Sequence, residues 1–130
     1  MPRVLICTRK NRTPDEARAS RLAYEFAVGK GTDAVVDDRY DWRQIQAENG
    51  GYRGAYDWAG RAHDAIILIE SPEVALGRGQ YEIAAAALRH NKRVYVWRDG
   101  ALSRVRALSP LECADWKAAY AEVELESPGA

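Results

Sequence analysis

The chain contains few of the residues that build disulfide scaffolds or metal centres. Its 130 residues include only two cysteines and two histidines. Cys7 and Cys113 lie far apart and have no metal-ligand spacing, so we expect free thiols in a cytoplasmic protein. His63 and His90 show no partner spacing either, and both are expected at the surface or its boundary. The sequence therefore predicts no metal site and no cofactor.

The chain also lacks a net charge and a long apolar segment. Its 19 basic and 19 acidic residues cancel, so no overall field attracts nucleic acid or an anionic membrane. The apolar run Ala84–Leu88 is far too short to cross a bilayer. The strand-like run that begins at Val4 predicts that no secretory segment precedes it. We therefore expect neither nucleic acid nor a membrane as a partner.

The alternation of apolar runs with helical patterns predicts one α/β domain over residues 1–125 and a loose tail over 126–130. Strands are predicted at Val4–Cys7, Ala34–Val36, Ala65–Ile69 and Arg93–Trp97, with a weaker fifth at Ser103–Leu108. Helices are predicted after the capping pattern Thr13–Glu16, over Tyr40–Glu48, Ala55–Ala62 and Gln80–Asn91, and from the second capping pattern, Ser109–Glu112, to about Leu125. These elements predict a parallel sheet of four or five strands with flanking helices.

The segment from Asp64 to Trp97 contains a buried strand, a loop with two glycines, a helix and a second buried strand. This order places the loop at the carboxyl edge of the sheet, where open α/β sheets bind small ligands. Gly77 and Gly79 would let the loop approach a ligand closely. Glu82 is predicted in the first helical turn, where the helix dipole favours a charged carboxylate. Such a carboxylate could attack an electrophilic sugar carbon, or it could only stabilise the helix.

Two further pairs of residues follow predicted strands. Glu70 could bind a sugar hydroxyl or act as an acid or base, and Ser71 could bond a phosphate. The alternative for this pair is a turn that only redirects the chain. Asp37 and Asp38 follow the second strand, where an acidic residue can bind ribose hydroxyls or can simply form a turn.

The loop after the first strand is basic and precedes a predicted helix. Thr8, Arg9, Lys10 and Arg12 lie in this loop, and basic side chains beside free N–H groups suit a phosphate. A solvated polar loop would explain the same residues. Asp57, on a short amphipathic segment, could reach the cleft, although a surface position is typical of aspartate.

A resemblance to a known family joins several of these residues. The pattern of residues 64–68 (DAIIL), then Gly77-x-Gly79-x-x-Glu82-Ile83, then residues 91–94 (NKRV) resembles the nucleoside 2-deoxyribosyltransferase superfamily, nearest to the branch of the 2′-deoxynucleoside 5′-monophosphate N-glycosidases. The resemblance implies a three-layer flavodoxin-like or Rossmann-like domain that cleaves or exchanges the base of a nucleoside or nucleotide. It also implies that Glu82 is the nucleophile, that Asp57 assists it, and that the chain forms a homo-oligomer.

A second group with similar features is the nucleotide-sensing Rossmann-like modules, which also contain the cytokinin-activating phosphoribohydrolases. These proteins share a glycine-rich loop before a helix with a glutamate, and several bind nucleotides without catalysis. The Pro-Gly-Gly start of the phosphoribohydrolase motif does not occur in this chain. Three hypotheses follow: a nucleotide-directed N-glycosidase or transferase, a non-catalytic nucleotide-binding module, and an interaction protein without a small ligand.

Overall fold

The computed structural model describes residues 2–9, 13–70, 76–98, 100–110 and 121–125. Within these ranges the strands are β1 (Arg3–Cys7), β2 (Asp33–Val36), β3 (Ala65–Ile69), β4 (Arg93–Arg98), β5 (Ala101–Pro110) and β6 (Ala121–Leu125). The helices are α1 (Pro14–Gly29), α2 (Trp42–Asn49), α3 (Tyr52–Ala62) and α4 (Arg78–Arg89), and a single 3₁₀ turn at Asp37–Arg39 follows β2. The predicted tail, 126–130, lies outside the described residues.

The strands follow one another in the order β2-β1-β3-β4-β5-β6. The first four are parallel, since β1 pairs in parallel with β2 and β3, and β3 pairs in parallel with β4. The predicted interior position of β3 is therefore confirmed. Its unbroken apolar sequence agrees with this position, because a central parallel strand is buried on both faces.

Helices cover the two faces of the sheet, and alternate strand residues belong to different cores. Val4 and Ile6 of β1 pack with Ala23 and Ala27 of α1. Leu5 of β1 instead belongs to the core that includes the inner residues of α3 and α4. This division follows from the two-residue period of a strand. The structure is thus an α/β domain with a mostly parallel sheet.

The local signals for helix ends that the sequence contains are used as expected. Thr13 caps α1: its hydroxyl accepts a hydrogen bond from the Glu16 N–H at 3.2 Å, and the Glu16 carboxylate accepts one from the Thr13 N–H at 3.4 Å. Gly50 ends α2 with a φ of 80°, a left-handed conformation that glycine adopts without steric cost. Gly51 continues the turn into α3.

Helices α3 and α4 approach each other closely because small residues line their contact. A Cβ placed on Gly60 would lie 2.5 Å from the backbone nitrogen of Ala87 and 2.7 Å from the Cβ of Ala86. Any larger residue at this position would force the two helices apart. The close packing holds the rest of α3, including Tyr56, against the start of α4.

The fifth strand was predicted in a parallel sheet, and this prediction is wrong. β5 runs antiparallel to β4, with Arg98 paired to Ala101, so only two residues connect the strands. A parallel connection needs a dozen or more residues, whereas two suffice for a hairpin. Those residues are Asp99, which lies outside the described residues, and Gly100, with a φ of 79°. Asp-Gly is a strong hairpin signal, and it was overlooked in the sequence.

The prediction of a last helix from Ser109 to about Leu125 is also wrong at both ends of this segment. Strand β5 extends to Pro110, and residues 121–125 form β6, which pairs antiparallel with β5. The sequence of β6, AEVEL, alternates polar and apolar residues, which is the period of a strand. The part between them, 111–120, lies outside the described residues. Among the helices that the structure describes, none is long and apolar enough to cross a membrane.

His63 was expected at the surface or its boundary, but it is buried, with 1% of its surface exposed. Its Nδ1 lies 2.7 Å from the carbonyl of Ala59, so Nδ1 carries the hydrogen. Its Nε2 then accepts a hydrogen bond from the hydroxyl of Tyr40 at 2.8 Å. The ring also packs edge-on against Trp58. Burial lowers the pKa of His63, so the folded protein holds this ring neutral.

Ile67 tests the interior position of β3. The side chain is 2% exposed, and Ile67→Ala should lower the free energy of unfolding by about 2–5 kcal/mol because it removes buried methyl groups and leaves a cavity. Leu22→Ala, at a position 42% exposed on α1, is the control and should cost less than about 1 kcal/mol. Equal losses for the two variants in urea unfolding would contradict the interior position.

His63 should make the stability depend on pH. Because the folded-state pKa lies below the unfolded value, the unfolded chain takes up a proton first as the pH falls. Stability from this group is therefore complete above about pH 6.5 and declines below it, by at most about 1.4 kcal/mol per pH unit. In urea unfolding between pH 7 and 5, His63→Gln should lose this slope, and the control His90→Gln should keep it. A wild-type slope that survives in His63→Gln would show that another group is responsible.

Candidate functional site

Gln80 connects two strand ends to the first turn of α4. Its side chain is buried, with 2% exposure. Its amide nitrogen donates to the carbonyl oxygens of Cys7 at 3.0 Å and Ile69 at 2.7 Å, the last residues of β1 and β3. Its amide oxygen accepts a hydrogen bond from the Gly77 N–H at 2.7 Å. All the hydrogens of this amide are used, so Gln80 positions the loop before α4 at the carboxyl edge of the sheet.

The start of α4 corrects the predicted place of Glu82. The helix begins at Arg78, with Gly77 as its N-cap, two residues earlier than predicted. Glu82 is therefore its fifth residue and lies in the second turn, and the first turn holds no acidic residue. Since the helix dipole acts mainly within the first turn, it does not explain a charged Glu82. The helix begins early because Gln80 satisfies the N–H of Gly77.

The two glycines of the loop face other parts of the protein rather than an open space for a ligand. A Cβ on Gly77 would lie 3.2 Å from the Cβ of Arg9, and one on Gly79 would lie 3.6 Å from the ring of Tyr56. The φ of Gly77 is −74°, which any residue can adopt. A side chain at Gly77 would press on Arg9, whereas one at Gly79 would make ordinary contact with Tyr56, and the close approach of a ligand to this loop stays a prediction. The two glycines let β1 and α3 pack against the loop.

Tyr56 packs against the first turn of α4, with its ring 3.6 Å from a Cβ placed on Gly79, and sequence reasoning missed it. Burial raises the pKa of the Tyr56 phenol, the nearby Arg78 guanidinium opposes this, and the Glu82 carboxylate adds to it. The phenol is therefore protonated at neutral pH and can donate a hydrogen bond. The Glu82 carboxylate lies 4.0 Å from the Arg78 guanidinium, and both side chains are partly exposed. The Arg78–Glu82 pair and the Tyr56 phenol thus both lie at the start of α4, beside the glycine loop.

The predicted phosphate loop is held by carboxylates. The N–H and the hydroxyl of Thr8 donate to the carboxylate of Asp37 at 2.9 and 2.8 Å. A phosphate that bound the Thr8 N–H would therefore have to displace Asp37. Asp37, predicted as a ribose ligand or a turn, thus ties the end of β1 to the 3₁₀ turn after β2. Its neighbour Asp38 lies in the same turn and is exposed.

Arg9 is likewise bound to a carboxylate. Its Nε and Nη2 lie 3.0 and 2.7 Å from Oε1 of Glu16, and its Nε lies 2.9 Å from Oε2. Burial alone would raise the pKa of Glu16, but the hydrogen bonds from Arg9 and Thr13 hold it below its ordinary value. A buried carboxylate needs such a partner. Arg9 therefore has a structural role, and the other predicted phosphate ligands, Lys10, Arg12 and Ser71, lie outside the described residues.

Glu70, predicted at the cleft, does follow β3 at the carboxyl edge. Its carboxylate accepts two hydrogen bonds of 2.7 Å from the Nε and Nη2 of Arg98, at the end of β4. This two-pronged geometry suits the planar guanidinium. Glu70 thus joins the ends of two neighbouring strands, and a ligand that used its oxygens would compete with Arg98.

Asp57 bonds a residue that follows the end of α4. Its carboxylate lies 2.9 Å from Nε2 of His90 and 3.7 Å from the Arg61 guanidinium. His90 follows the last turn of α4, eight residues after Glu82, which is about 12 Å along a helix. The structure therefore gives Asp57 and His90 each other as partners. Sequence spacing alone did not reveal this pair.

The described residues contain no group of three or more histidine, cysteine, aspartate or glutamate side chains that could hold a metal ion. Cys7 is a buried free cysteine, and burial, with the neighbouring Asp37 carboxylate, raises its pKa well above the ordinary value. This thiol is therefore protonated and unreactive at neutral pH. The chemistry available at the carboxyl edge is that of carboxylates, a phenol and guanidinium groups.

Comparison with protein-family models, with curated proteins and with solved structures gives no match to this chain.

Gln80→Leu tests whether this edge depends on the buried amide. Leucine has a similar size but leaves the Cys7 and Ile69 carbonyls and the Gly77 N–H without their partner, so the variant should lose at least about 1–3 kcal/mol of stability. The control is Gln44→Leu on α2, whose exposed amide bonds Glu48 at 3.0 Å, with an expected change below about 0.5 kcal/mol. Urea unfolding measures both. Similar small losses would mean that Gln80 does not hold the loop.

Proposed function

We propose that the chain is a nucleotide-directed N-glycosidase or deoxyribosyltransferase-like enzyme with Glu82 as its nucleophile. The observation that carries the proposal is the Arg78–Glu82 pair beside the loop at Gly77, with Tyr56 packed against Gly79 in the same part of α4. This loop follows an interior parallel strand, at the edge where open α/β sheets bind ligands. The pattern around Glu82 that resembles the deoxyribosyltransferase superfamily supports the same choice.

A three-layer flavodoxin-like fold is part of this proposal. The parallel strands have the order β2-β1-β3-β4, which agrees with the flavodoxin-like order 2-1-3-4-5 up to the fourth strand. Helix α1 on one face and helices α3 and α4 on the other face are consistent with three layers. The antiparallel β5 is a departure from that pattern, although antiparallel edge strands do occur on parallel sheets.

The proposed reaction uses Glu82 in two steps. A carboxylate oxygen of Glu82 bonds to C1′ of the sugar as the bond from C1′ to the base nitrogen breaks. The electron pair of that bond goes to the base, which takes a proton and leaves. Water then bonds to C1′ and loses a proton, the ester bond breaks, and the Glu82 carboxylate returns. Nucleotide and water thus give free base and sugar phosphate, and a second base in place of water would give transfer.

Tyr56 and Arg78 would serve this reaction without forming covalent bonds. The protonated phenol of Tyr56, packed against Gly79 in the first turn of α4, would act as a hydrogen-bond donor to the substrate. Arg78, 4.0 Å from Glu82, would hold the carboxylate in place beside the loop. Arg78 is also placed to meet an anionic substrate, because guanidinium groups bind phosphate well. Thr8 and Arg9 are less suited to that role, since Asp37 and Glu16 already bind them.

The second candidate is a non-catalytic module that binds a nucleotide or a nucleotide-derived signal. The observation that favours it is the position of Asp57, which bonds His90 and so does not assist Glu82. A binding module needs the loop and the polar edge but needs no second catalytic carboxylate. The predicted cytoplasmic location and homo-oligomeric state stay predictions under either function.

Base release from deoxynucleoside monophosphates separates the two candidates. If Glu82 is the nucleophile, Glu82→Gln keeps the shape but removes the attacking charge, so release should fall by about 10³-fold or more. Binding, measured by calorimetry with the same nucleotides, should persist. Chromatography of free base after incubation with dAMP, dGMP, dCMP and dTMP measures the reaction.

The matched control is Glu25→Gln, at an exposed position on α1, which should release base at the wild-type rate. Base release unchanged in Glu82→Gln would mean that another residue is the nucleophile. A wild-type protein that binds the nucleotides but releases no base would support the binding module instead.

A further inference from the structure

A groove lies at the opposite edge of the sheet from Glu82. It has a volume of about 730 Å³ and borders Pro2, Asp64 and Lys92, the residues that directly precede β1, β3 and β4. We call it the amino-edge groove. It runs along the α1 face of the sheet, between α1 and the strands β4 and β5. It shares no residue with the candidate site at the carboxyl edge, so what it binds is independent of the proposed function.

The floor of the amino-edge groove is apolar. Ala65 and Ile67 of β3, Tyr95 of β4 and Leu102 of β5 line it, and Phe26 of α1 forms a wall. Helix α1 packs on β1, β2 and β3 and reaches β4 through the contact of Phe26 with Trp97, and the helices that the structure describes leave this face only partly covered at Tyr95 and Leu102. Tyr95 and Leu102 are accordingly only half-buried. An apolar cleft of roughly 300–1,000 Å³ is typical of sites for small molecules.

The rim of the groove has an excess of positive charge. Lys30, Lys92 and Arg93 line it, against one acidic residue, Asp64. The Asp64 carboxylate already accepts a hydrogen bond of 2.7 Å from the backbone N–H of Arg3. The ammonium of Lys30 lies 5.5 Å from the centre of the Phe26 ring. Within the described part of the chain, no carboxylate forms an ion pair with Lys92 or Arg93.

The cations lie close to the ends of two helices. Lys30 directly follows α1, and Lys92 lies three residues after the end of α4. The last carbonyl groups of a helix carry partial negative charge and favour nearby cations. The ends of α1 and α4 therefore stabilise the positive charges of Lys30 and Lys92. Part of the positive charge is thereby offset. A ligand must therefore gain affinity from the apolar floor as well as from the charged rim.

We propose that the amino-edge groove binds a small amphipathic carboxylate, with its apolar body on the floor between β3 and β5 and its carboxylate at Lys92 and Arg93. An apolar cleft with a few cations at one end favours this class of ligand, because burial of the apolar body supplies affinity and the charged end sets the orientation. The apolar body is either an acyl chain or an aromatic ring, and two probes distinguish these alternatives.

The probes are decanoate for the acyl body and 1-naphthoate for the aromatic body, with 1-decanol as the uncharged match for decanoate. Calorimetry with the full chain at pH 7 should show saturable binding of at least one carboxylate and weaker binding of decanol. Backbone NMR shifts should change at Ile67 and Leu102, and those at Glu82 should not. The stronger probe then identifies the class of the apolar body.

Charge-removing variants test the orientation without disturbing the core. Lys92→Gln combined with Arg93→Gln should weaken carboxylate binding by about tenfold, since each partly exposed pair contributes modestly, and should leave decanol binding unchanged. The matched control, Arg43→Gln combined with Arg53→Gln on exposed positions of α2 and α3, should change neither.

Three results would overturn the proposal. Decanol that binds as tightly as decanoate would show an apolar surface without a carboxylate site. Carboxylate binding that is unaffected in the Lys92 and Arg93 variant would place the site elsewhere. The absence of any shift at the groove residues with every probe would also exclude a small-molecule site. Another part of the chain or a second copy would then cover the groove. Size-exclusion chromatography over a range of concentrations identifies the second copy.

Discussion

The side chain of Gln80 is the interaction on which the arrangement of the carboxyl edge depends. One buried amide bonds the last residues of β1 and β3 and the N–H of Gly77 before α4. A primary amide suits this place because it carries two donors and one acceptor on a single planar group. Neither a carboxylate nor an apolar side chain offers that set. The start of α4, the position of Glu82 and the contact of the loop with Tyr56 all follow from it.

The two edges of the sheet differ in how their charges are paired. At the carboxyl edge Thr8 bonds Asp37, Arg9 bonds Glu16, and Glu70 bonds Arg98. A ligand there must meet the groups that stay partly exposed, of which Glu82 and Arg78 are the clearest. At the amino edge Lys92 and Arg93 have no carboxylate partner within the described ranges. The same neutral chain thus presents a polar, internally paired edge and an apolar, cationic groove.

The predicted secondary structure was most accurate where local chemistry decides it. The capping pattern at Thr13 and the apolar run of β3 each predicted the observed element, because a capping hydrogen bond and two-sided burial act within a few residues. The hairpin between β4 and β5 was equally local, and its Asp-Gly signal was overlooked. Of the candidate site, the edge of the sheet and the nearness of the loop to β1 were predictable from strand order.

The sequence alone determined that this chain is an α/β protein with a buried central strand and a glycine loop at one edge of the sheet, since residue periodicity and turn chemistry are read along the chain. Tertiary structure alone decided which polar groups meet. The packing of α3 on α4 placed Tyr56 against Gly79 and brought Asp57 within hydrogen-bond distance of His90. The folding of β1 beside β2 brought Thr8 within hydrogen-bond distance of Asp37, 29 residues away in the sequence. Such pairs depend on the distances between elements in space, and no local pattern in the sequence encodes those distances.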